Sequence, residues 1–145
     1  MKKLIFIIPL IILLEACTTN VVSPIPSSAV SLEINIIQDA PELNAIGGVA
    51  EFTEVWKPYQ YLGYGGIVIF RNFDDKFVAF DMACPYEIDR TIRVSVNMAG
   101  QAVCPVCGST YDLGYSSGFP VKGPSKFPMR QYQVSMSGDY LRVYP

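Results

Sequence analysis

From about Val30 to its end, the chain consists of short runs of β-branched and aromatic residues that stop at turn-forming residues. Residues 31–36 alternate between apolar and polar side chains, and residues 67–70 form a short continuous apolar run. The 11 glycines and 11 prolines lie mostly between such runs, and no stretch past residue 30 has a helical period. The pattern predicts a single, small all-β domain whose function is carried by its loops.

Further predicted strands are residues 49–56, 76–80, 92–96, 132–136 and 140–144. The last two are joined by Ser137-Gly138-Asp139, which is typical of a hairpin turn. Once its N-terminal segment is set aside, a chain of 145 residues has room for one domain with a modest hydrophobic core.

The chain contains no histidine, and its net charge is −2. The first fact excludes Ser-His, Cys-His and His-metal sites made within this chain, and the slight acidity argues against a nucleic-acid partner. No pair of carboxylates can be placed for acid–base catalysis, so no catalytic residue is assigned and no turnover of its own is expected. Any chemistry therefore depends on cysteine, tyrosine and carboxylate groups.

The N-terminus has the features of an export signal. Two lysines precede an apolar run over residues 4–14, which is shorter than the about 20 residues that a membrane-spanning helix needs. The run ends in Leu14-Glu15-Ala16-Cys17, which resembles the lipobox of bacterial lipoproteins. The resemblance implies cleavage before Cys17 and lipidation of its thiol. An ordinary signal peptide with an incidental cysteine is the alternative.

These features divide the chain into a lipoprotein signal peptide over residues 1–16, a lipidated Cys17 with a flexible tether over 17–30, and one domain over 31–145. The expected location is the bacterial cell envelope, where a lipid anchor would hold the domain on the membrane, facing the periplasm.

The other three cysteines lie in two predicted loops, Cys84-Pro85-Tyr86 and Cys104-Pro105-Val106-Cys107-Gly108. A C-x-x-C pair occurs in zinc knuckles, thiol oxidoreductases and iron–sulfur sites. A thioredoxin-type pair needs a helix to lower the thiol pKa, but the residues after Cys107 favour a turn and a strand. A structural zinc site usually takes four Cys or His ligands, and only three are available here.

Read together, the loops resemble those of the Rieske [2Fe–2S] domain family, over about residues 49–144. The family pattern is C-x-H, 15 to 17 residues, then C-x-x-H; this chain has C-x-Tyr, 17 residues, then C-x-x-Cys. A strand pair before the first loop, a proline-containing turn over residues 118–124 and the final hairpin follow the family order. The resemblance implies a small β-sandwich or barrel whose two Cys loops form a cluster-binding subdomain.

The resemblance also implies a ligand set. Cys84 and Cys104 match the cysteines that hold one iron, while Tyr86 and Cys107 stand where two histidines hold the other. A [2Fe–2S] cofactor would then be bound by three thiolates and a phenolate. The added negative charge would move its potential from the Rieske range toward about −400 mV.

Two hydroxyl residues follow the second loop. Ser109 and Tyr111 match positions whose hydroxyls donate hydrogen bonds to cluster sulfurs, so we assign them to the cofactor site. Both could equally satisfy local backbone groups. Glu87 and Asp89, in the first loop, are alternative oxygen ligands, although acidic residues in loops are usually solvated.

Three functions stay open on these grounds. The first is one-electron transfer through the modified cluster, with an unknown redox partner. The second is a metal-free structural or partner-binding module, stapled by Cys84–Cys104 or Cys84–Cys107 with one thiol left over. The third is thiol–disulfide chemistry at Cys104 and Cys107, for which no helix is predicted to stabilise a thiolate.

Overall fold

The structure is a computed structural model that describes residues 21–115 and 117–145, so the predicted signal peptide and Cys17 lie outside the described residues. Its regular structure is almost entirely β, with a single 3-10 turn over Pro41–Asn44 and no α-helix in the part described. The strands are β1 Val30–Asn35, β2 Val49–Phe52, β3 Tyr61–Leu62, β4 Ile67–Arg71, β5 Phe77–Asp81, β6 Ser95–Val96, β7 Gln101–Val103, β8 Thr110–Asp112, β9 Pro120–Lys122, β10 Gln131–Ser137 and β11 Tyr140–Tyr144.

The strands form two antiparallel sheets. Seven strands make a nearly closed, barrel-like sheet in the order β2-β4-β5-β10-β11-β1-β3, and four make a smaller sheet in the order β6-β7-β8-β9. This confirms the predicted all-β fold with two Cys loops close together. The loop from β5 to β6 carries Cys84, and the loop from β7 to β8 carries Cys104 and Cys107.

Strand β4 lies between two hydrophobic cores, which explains its continuous apolar run. Ile67 and Ile69 pack into the core of the seven-stranded sheet, while Val68 and Phe70 pack into a second core. Because successive strand residues point to opposite faces, a strand that is covered on both sides has no polar face. The second core also contains the buried cysteines, so the two Cys loops are anchored in packed hydrophobic material.

The predicted strand pair and hairpin are confirmed, and two other strands are shorter than predicted. Strands β4 and β5 pair from Ile67 with Asp81, and β10 and β11 pair up to Ser137 with Tyr140. The strand predicted over residues 49–56 ends at Phe52, against whose ring Trp56 stacks with centroids 5.0 Å apart. Of the strand predicted over 92–96, only its end forms β6; the residues before it pair with the chain that leads into Cys84, where Arg93 bridges Ala83 and the Val94 N–H donates to the Met82 carbonyl at 2.8 Å.

The segment before β1 makes specific contacts with the domain. Ile25 is almost completely buried, and its carbonyl oxygen accepts a hydrogen bond from Arg130 Nε at 2.9 Å. The end of the predicted tether therefore packs against the loop that precedes β10. Among the residues described, no helix is long and apolar enough to cross a membrane.

Candidate metal centre

Three thiols from the two loops converge in the second core. The Sγ atoms of Cys84, Cys104 and Cys107 all lie within 4.8 Å of one another, and the Cys84 and Cys107 sulfurs are 3.7 Å apart. Cys84 and Cys104 are buried, whereas Cys107 is partly exposed, and all three are free thiols. This is the single cluster of potential metal-binding residues that the described part of the chain contains.

The backbone of each loop is fixed by a turn that begins at a cysteine. In the first loop the Ile88 N–H donates to the Cys84 carbonyl at 2.9 Å, and in the second the Gly108 N–H donates to the Cys104 carbonyl at 3.1 Å. The proline after each cysteine has a fixed φ that suits the first position of a tight turn. Both turns start at the end of an extended segment.

The two predicted hydroxyl residues lie against the sulfurs. Tyr111 Oη is 3.4 Å from Cys84 Sγ, and the Cys107 thiol donates to Ser109 Oγ at 3.2 Å. Ser109 Oγ also accepts a hydrogen bond from the Ser125 N–H at 3.1 Å, which holds the hydroxyl in place. Both hydroxyl side chains are fully buried.

The two thiols of the second Cys loop, Cys104 and Cys107, differ in acidity. Burial raises the pKa of the Cys104 thiol to about 12. Burial also acts to raise the pKa of Cys107, but hydrogen bonds from the Ser109 side chain and backbone, together with contacts with the Cys104 and Cys84 thiols, outweigh it, and this pKa lies below its ordinary value. In the metal-free protein Cys107 is therefore the more readily ionised of the two. Burial, followed by the contact with Cys84, raises the pKa of Tyr111.

The oxygen ligands predicted in the first loop have different surroundings. The Tyr86 side chain is 52% exposed at the loop tip, and in the described part of the chain it has no hydrogen bond to the thiols. The Asp89 carboxylate accepts hydrogen bonds from the N–H and Oγ1 of Thr91, both at 2.7 Å, and these lower its pKa. Glu87 is partly buried.

A buried carboxyl group that the sequence analysis missed supports the first loop. Asp81 accepts hydrogen bonds from the N–H groups of Tyr64, Gly65 and Ala83 at 2.7 to 3.0 Å and from Tyr132 Oη at 2.7 Å. It thereby ties the chain just before the first cysteine to two other segments. The available signal was an acidic residue directly after the apolar run of β5, a position where burial requires partners.

The thiol geometry can be tested against a two-iron cluster. A tetrahedral ion with metal–sulfur bonds of about 2.3 Å has sulfurs about 3.8 Å apart. The Cys84 and Cys107 sulfurs, 3.7 Å apart, match that spacing, and the Cys104 sulfur lies within 4.8 Å of both. A [2Fe–2S] group needs two pairs of ligands at opposite ends, with the sulfurs on different irons farther apart. The three thiols, as arranged, could therefore serve as three ligands of one metal ion. They do not form the two separate ligand pairs that a [2Fe–2S] group needs.

No protein-family model and no curated protein sequence matches the chain. Among solved structures, similarity is found to a chain of the complex of reduced oxygenase and oxidised ferredoxin in carbazole 1,9a-dioxygenase, with 16% identity over 77% of this chain and 99% of that one and a TM-score of 0.50. The ferredoxin of carbazole 1,9a-dioxygenase from Nocardioides aromaticivorans IC177 has 17% identity over 82% and 97% of the two chains, also with a TM-score of 0.50.

A third similar structure is the plasma membrane Rieske protein of the cyanobacterium Synechocystis PCC 6803, with 23% identity over 56% of this chain and 78% of that one and a TM-score of 0.48. Together with the sheet topology and the two facing Cys loops, the similarity to the two structures with a TM-score of 0.50 shows a Rieske-like fold.

Proposed function

We propose that this Rieske-like domain is a membrane-anchored, one-electron carrier of the bacterial cell envelope, with an iron centre bound by Cys84, Cys104 and Cys107. The observation that carries the proposal is the convergence of three buried or half-buried thiols from two separate loops within 4.8 Å. Thiolates are strong ligands for iron and zinc, and three at this spacing form most of a metal's coordination shell. Iron bound there would supply a one-electron ferric–ferrous couple.

The protein groups around the thiols would hold and shield the metal. Burial of Cys84 and Cys104 excludes water from two of the ligands. The hydroxyls of Ser109 and Tyr111 lie at hydrogen-bond distance from Cys107 and Cys84, where they would donate to the thiolates once the thiol protons are displaced. Without a titratable imidazole, the potential would depend only weakly on pH near neutrality.

A protein redox partner would approach the loop tips. Tyr86 and Val106 are 52% and 62% exposed, and each lies within two residues of a thiol. Exposed apolar side chains beside a redox centre suit a small, transient interface. An oxygenase is named with a ferredoxin in one of the similar structures, and for this chain the partner class is a protein that supplies or accepts single electrons.

The proposal includes a lipid anchor at Cys17, supported by the sequence pattern. Eight residues join Cys17 to the buried Ile25 and span at most about 29 Å. A lipidated Cys17 would therefore keep the domain close to the membrane surface. Cys17→Ser should release the protein from the membrane fraction on cell fractionation. A chain that carries only Cys107→Ser should stay bound to the membrane. Equal membrane retention of both variants would refute lipid anchoring.

The iron proposal is tested on the full chain, purified without oxygen from cells able to assemble iron–sulfur centres. We expect at least one iron per chain and visible sulfur-to-iron absorption that bleaches with dithionite. Cys84→Ser should abolish both, whereas Cys17→Ser should leave them unchanged, because Cys17 is not one of the three proposed ligands. Chains that contain no iron and have no visible absorption would contradict the function.

A metal-free module is the second candidate, and the 3.7 Å contact between the Cys84 and Cys107 sulfurs favours it. A small movement of the second loop would allow these atoms to form a disulfide, leaving Cys104 as the odd thiol. The compartment expected for an exported protein permits that oxidation. Peptide mapping under non-reducing conditions would detect a Cys84–Cys107 linked peptide in protein free of iron.

A further inference from the structure

The two Cys loops are two copies of the same turn. Each begins Cys-Pro, each has a three-residue turn after the cysteine, and in each the N–H of the fifth residue donates to the cysteine carbonyl. The fifth residue has a positive φ in both, 53° at Ile88 and 72° at Gly108. Positive φ suits glycine and is unusual for a β-branched residue such as isoleucine. The first loop therefore keeps this turn despite a backbone cost of about 1–2 kcal/mol.

The repeated turn makes the positions of the two loops equivalent. Cys84 corresponds to Cys104 as the first residue of each turn, and the fourth residues are Glu87 and Cys107. The third residues, Tyr86 and Val106, are both more than half exposed. Of the first and fourth residues of the two turns, three converge as sulfurs: Cys84, Cys104 and Cys107. The remaining fourth-position residue is Glu87, which is partly buried, whereas Tyr86 in the third position is exposed.

The other acidic residue of the loop is already engaged. Asp89 accepts two hydrogen bonds from Thr91 within its own turn. Glu87, by contrast, has no hydrogen-bond or ion-pair partner among the residues that the structure describes, although it is partly buried. Its carboxyl group lies outside the 4.8 Å thiol cluster, and the rotatable bonds of the side chain allow it to turn inward. A carboxylate oxygen is an accepted fourth ligand for a tetrahedral ion at about 2.0–2.2 Å.

We infer that the site holds one metal ion, with Cys84, Cys104, Cys107 and Glu87 as its four ligands. The inference rests on the proposed function only in requiring that the three thiols bind a metal, and it deepens that proposal by fixing the number of ions and the fourth ligand. It departs from a two-iron cluster with Tyr86 as ligand. The ligand set is suited to a divalent ion that accepts thiolate and carboxylate together, such as Fe²⁺ or Zn²⁺.

The test uses the metal-free full chain carrying Cys17→Ser, so that the three site thiols are the only ones present. Titration with Co²⁺ under anaerobic conditions should saturate at one ion per chain and give the strong visible bands of a tetrahedral ion. Glu87→Gln should shift those bands and weaken Co²⁺ binding by at least about tenfold, since even outer-shell changes at metal sites cost 10–100-fold. The matched control, Tyr86→Phe, should leave both spectrum and affinity unchanged.

Glu87→Cys provides a second test that does not depend on loss of binding. A fourth thiolate should raise the near-ultraviolet sulfur-to-Co²⁺ absorption per ion by about one third, since four thiolates replace three. Far-ultraviolet circular dichroism should show that each variant keeps the fold. An effect of Tyr86→Phe without an effect of Glu87→Gln would overturn the ligand assignment, as would an unchanged absorption in Glu87→Cys.

Metal analysis of protein isolated from cells separates this inference from the proposed function. One iron per chain without acid-labile sulfide would support both. Two irons with two sulfides would overturn the single-ion site and leave electron transfer standing. One zinc and no iron would support the single-ion site and overturn electron transfer. Protein that binds neither metal nor Co²⁺ would overturn both.

Discussion

At the scale of single residues, the site depends on polar groups that are buried and satisfied. Asp81 receives four hydrogen bonds in the interior, and Ser109 is held between Cys107 and the Ser125 N–H. A buried polar group that loses its partner costs more free energy than the hydrogen bond contributes when made. The loss of either residue should therefore disturb the position of its Cys loop.

Asp81→Asn should destabilise the domain by about 2–3 kcal/mol, since one carboxyl oxygen is replaced by an NH₂ group that cannot accept from the facing N–H groups. Urea denaturation should show the loss as a lower midpoint with an unchanged slope. Asp74→Asn is the matched control because Asp74 is exposed in a turn, and its midpoint should stay that of the parent. A stable Asp81→Asn protein would mean that Asp81 does not organise the loops.

Cys107 should react first with thiol reagents in the metal-free protein. Its pKa is lowered by Ser109 and its side chain is partly exposed, whereas Cys104 is buried with a pKa raised to about 12. The thiolate is the reactive form, so iodoacetamide at neutral pH should modify Cys107 while Cys104 reacts only on unfolding. Peptide mass spectrometry over time would measure both rates. Modification of Cys104 at the rate of Cys107 would contradict the acidity order.

At the scale of elements, the turns and loops around the thiols determine the site more than the strands do. The loop between β9 and β10 approaches the second Cys loop so closely that a Cβ on Gly123 would lie 2.5 Å from Ser109 Cα. Gly108, in the Cys turn itself, has open space around its missing side chain. Both glycines have positive φ, at 93° and 72°, so they differ mainly in the space available.

Gly108→Ala and Gly123→Ala are therefore a matched pair. Gly108→Ala should cost about 1 kcal/mol from backbone strain alone. Gly123→Ala should cost roughly 1–3 kcal/mol more, because the added methyl group displaces the Ser109 backbone, and it should also weaken metal binding at Cys107. Denaturation midpoints and Co²⁺ titration would measure the two effects. Equal destabilisation by both variants would show that the close contact at Ser109 is not maintained.

At the scale of the whole molecule, the segment before β1 belongs to the fold. Ile25 is 1% exposed, and its carbonyl is bonded to Arg130. Ile25→Ala should cost about 2 kcal/mol or more through lost burial. Val22→Ala is the control because Val22 is 71% exposed, and it should be neutral. If thermal denaturation shows no difference between the two variants, the segment does not contribute to stability.

Alkaline pH should destabilise the domain. Burial, followed by contacts with Asp81, raises the pKa of Tyr132, and burial likewise raises that of Tyr111. In the unfolded chain these phenols ionise near pH 10, so above that pH the unfolded state loses protons that the folded state retains. The contribution of these two phenols to the free energy of unfolding should therefore be constant below about pH 9 and fall as the pH rises past 10. Denaturation at several pH values measures this, and Tyr132→Phe should reduce the slope.

The sequence predicted the class of fold because strand periodicity and turn residues are local properties. The hairpin of β10 and β11 and the pair of β4 and β5 were placed correctly for that reason. The short β6 was predicted too long, since the residues before it are extended but pair with the chain that leads into Cys84 and not with β7. Local propensity cannot show which neighbour an extended segment will pair with.

The sequence also determined the chemistry available: three thiols outside the predicted anchor, no imidazole, and hydroxyls beside the second loop. Only the tertiary structure decided that the three sulfurs meet, that Asp81 ties the first loop down, and that the two Cys loops repeat one turn in which Glu87 is partly buried and Tyr86 is exposed. Residue types and their spacing along the chain are properties of the sequence. Distances between loops separated by 19 residues depend on how the sheets pack beneath them, and packing is a property of all the contacts together.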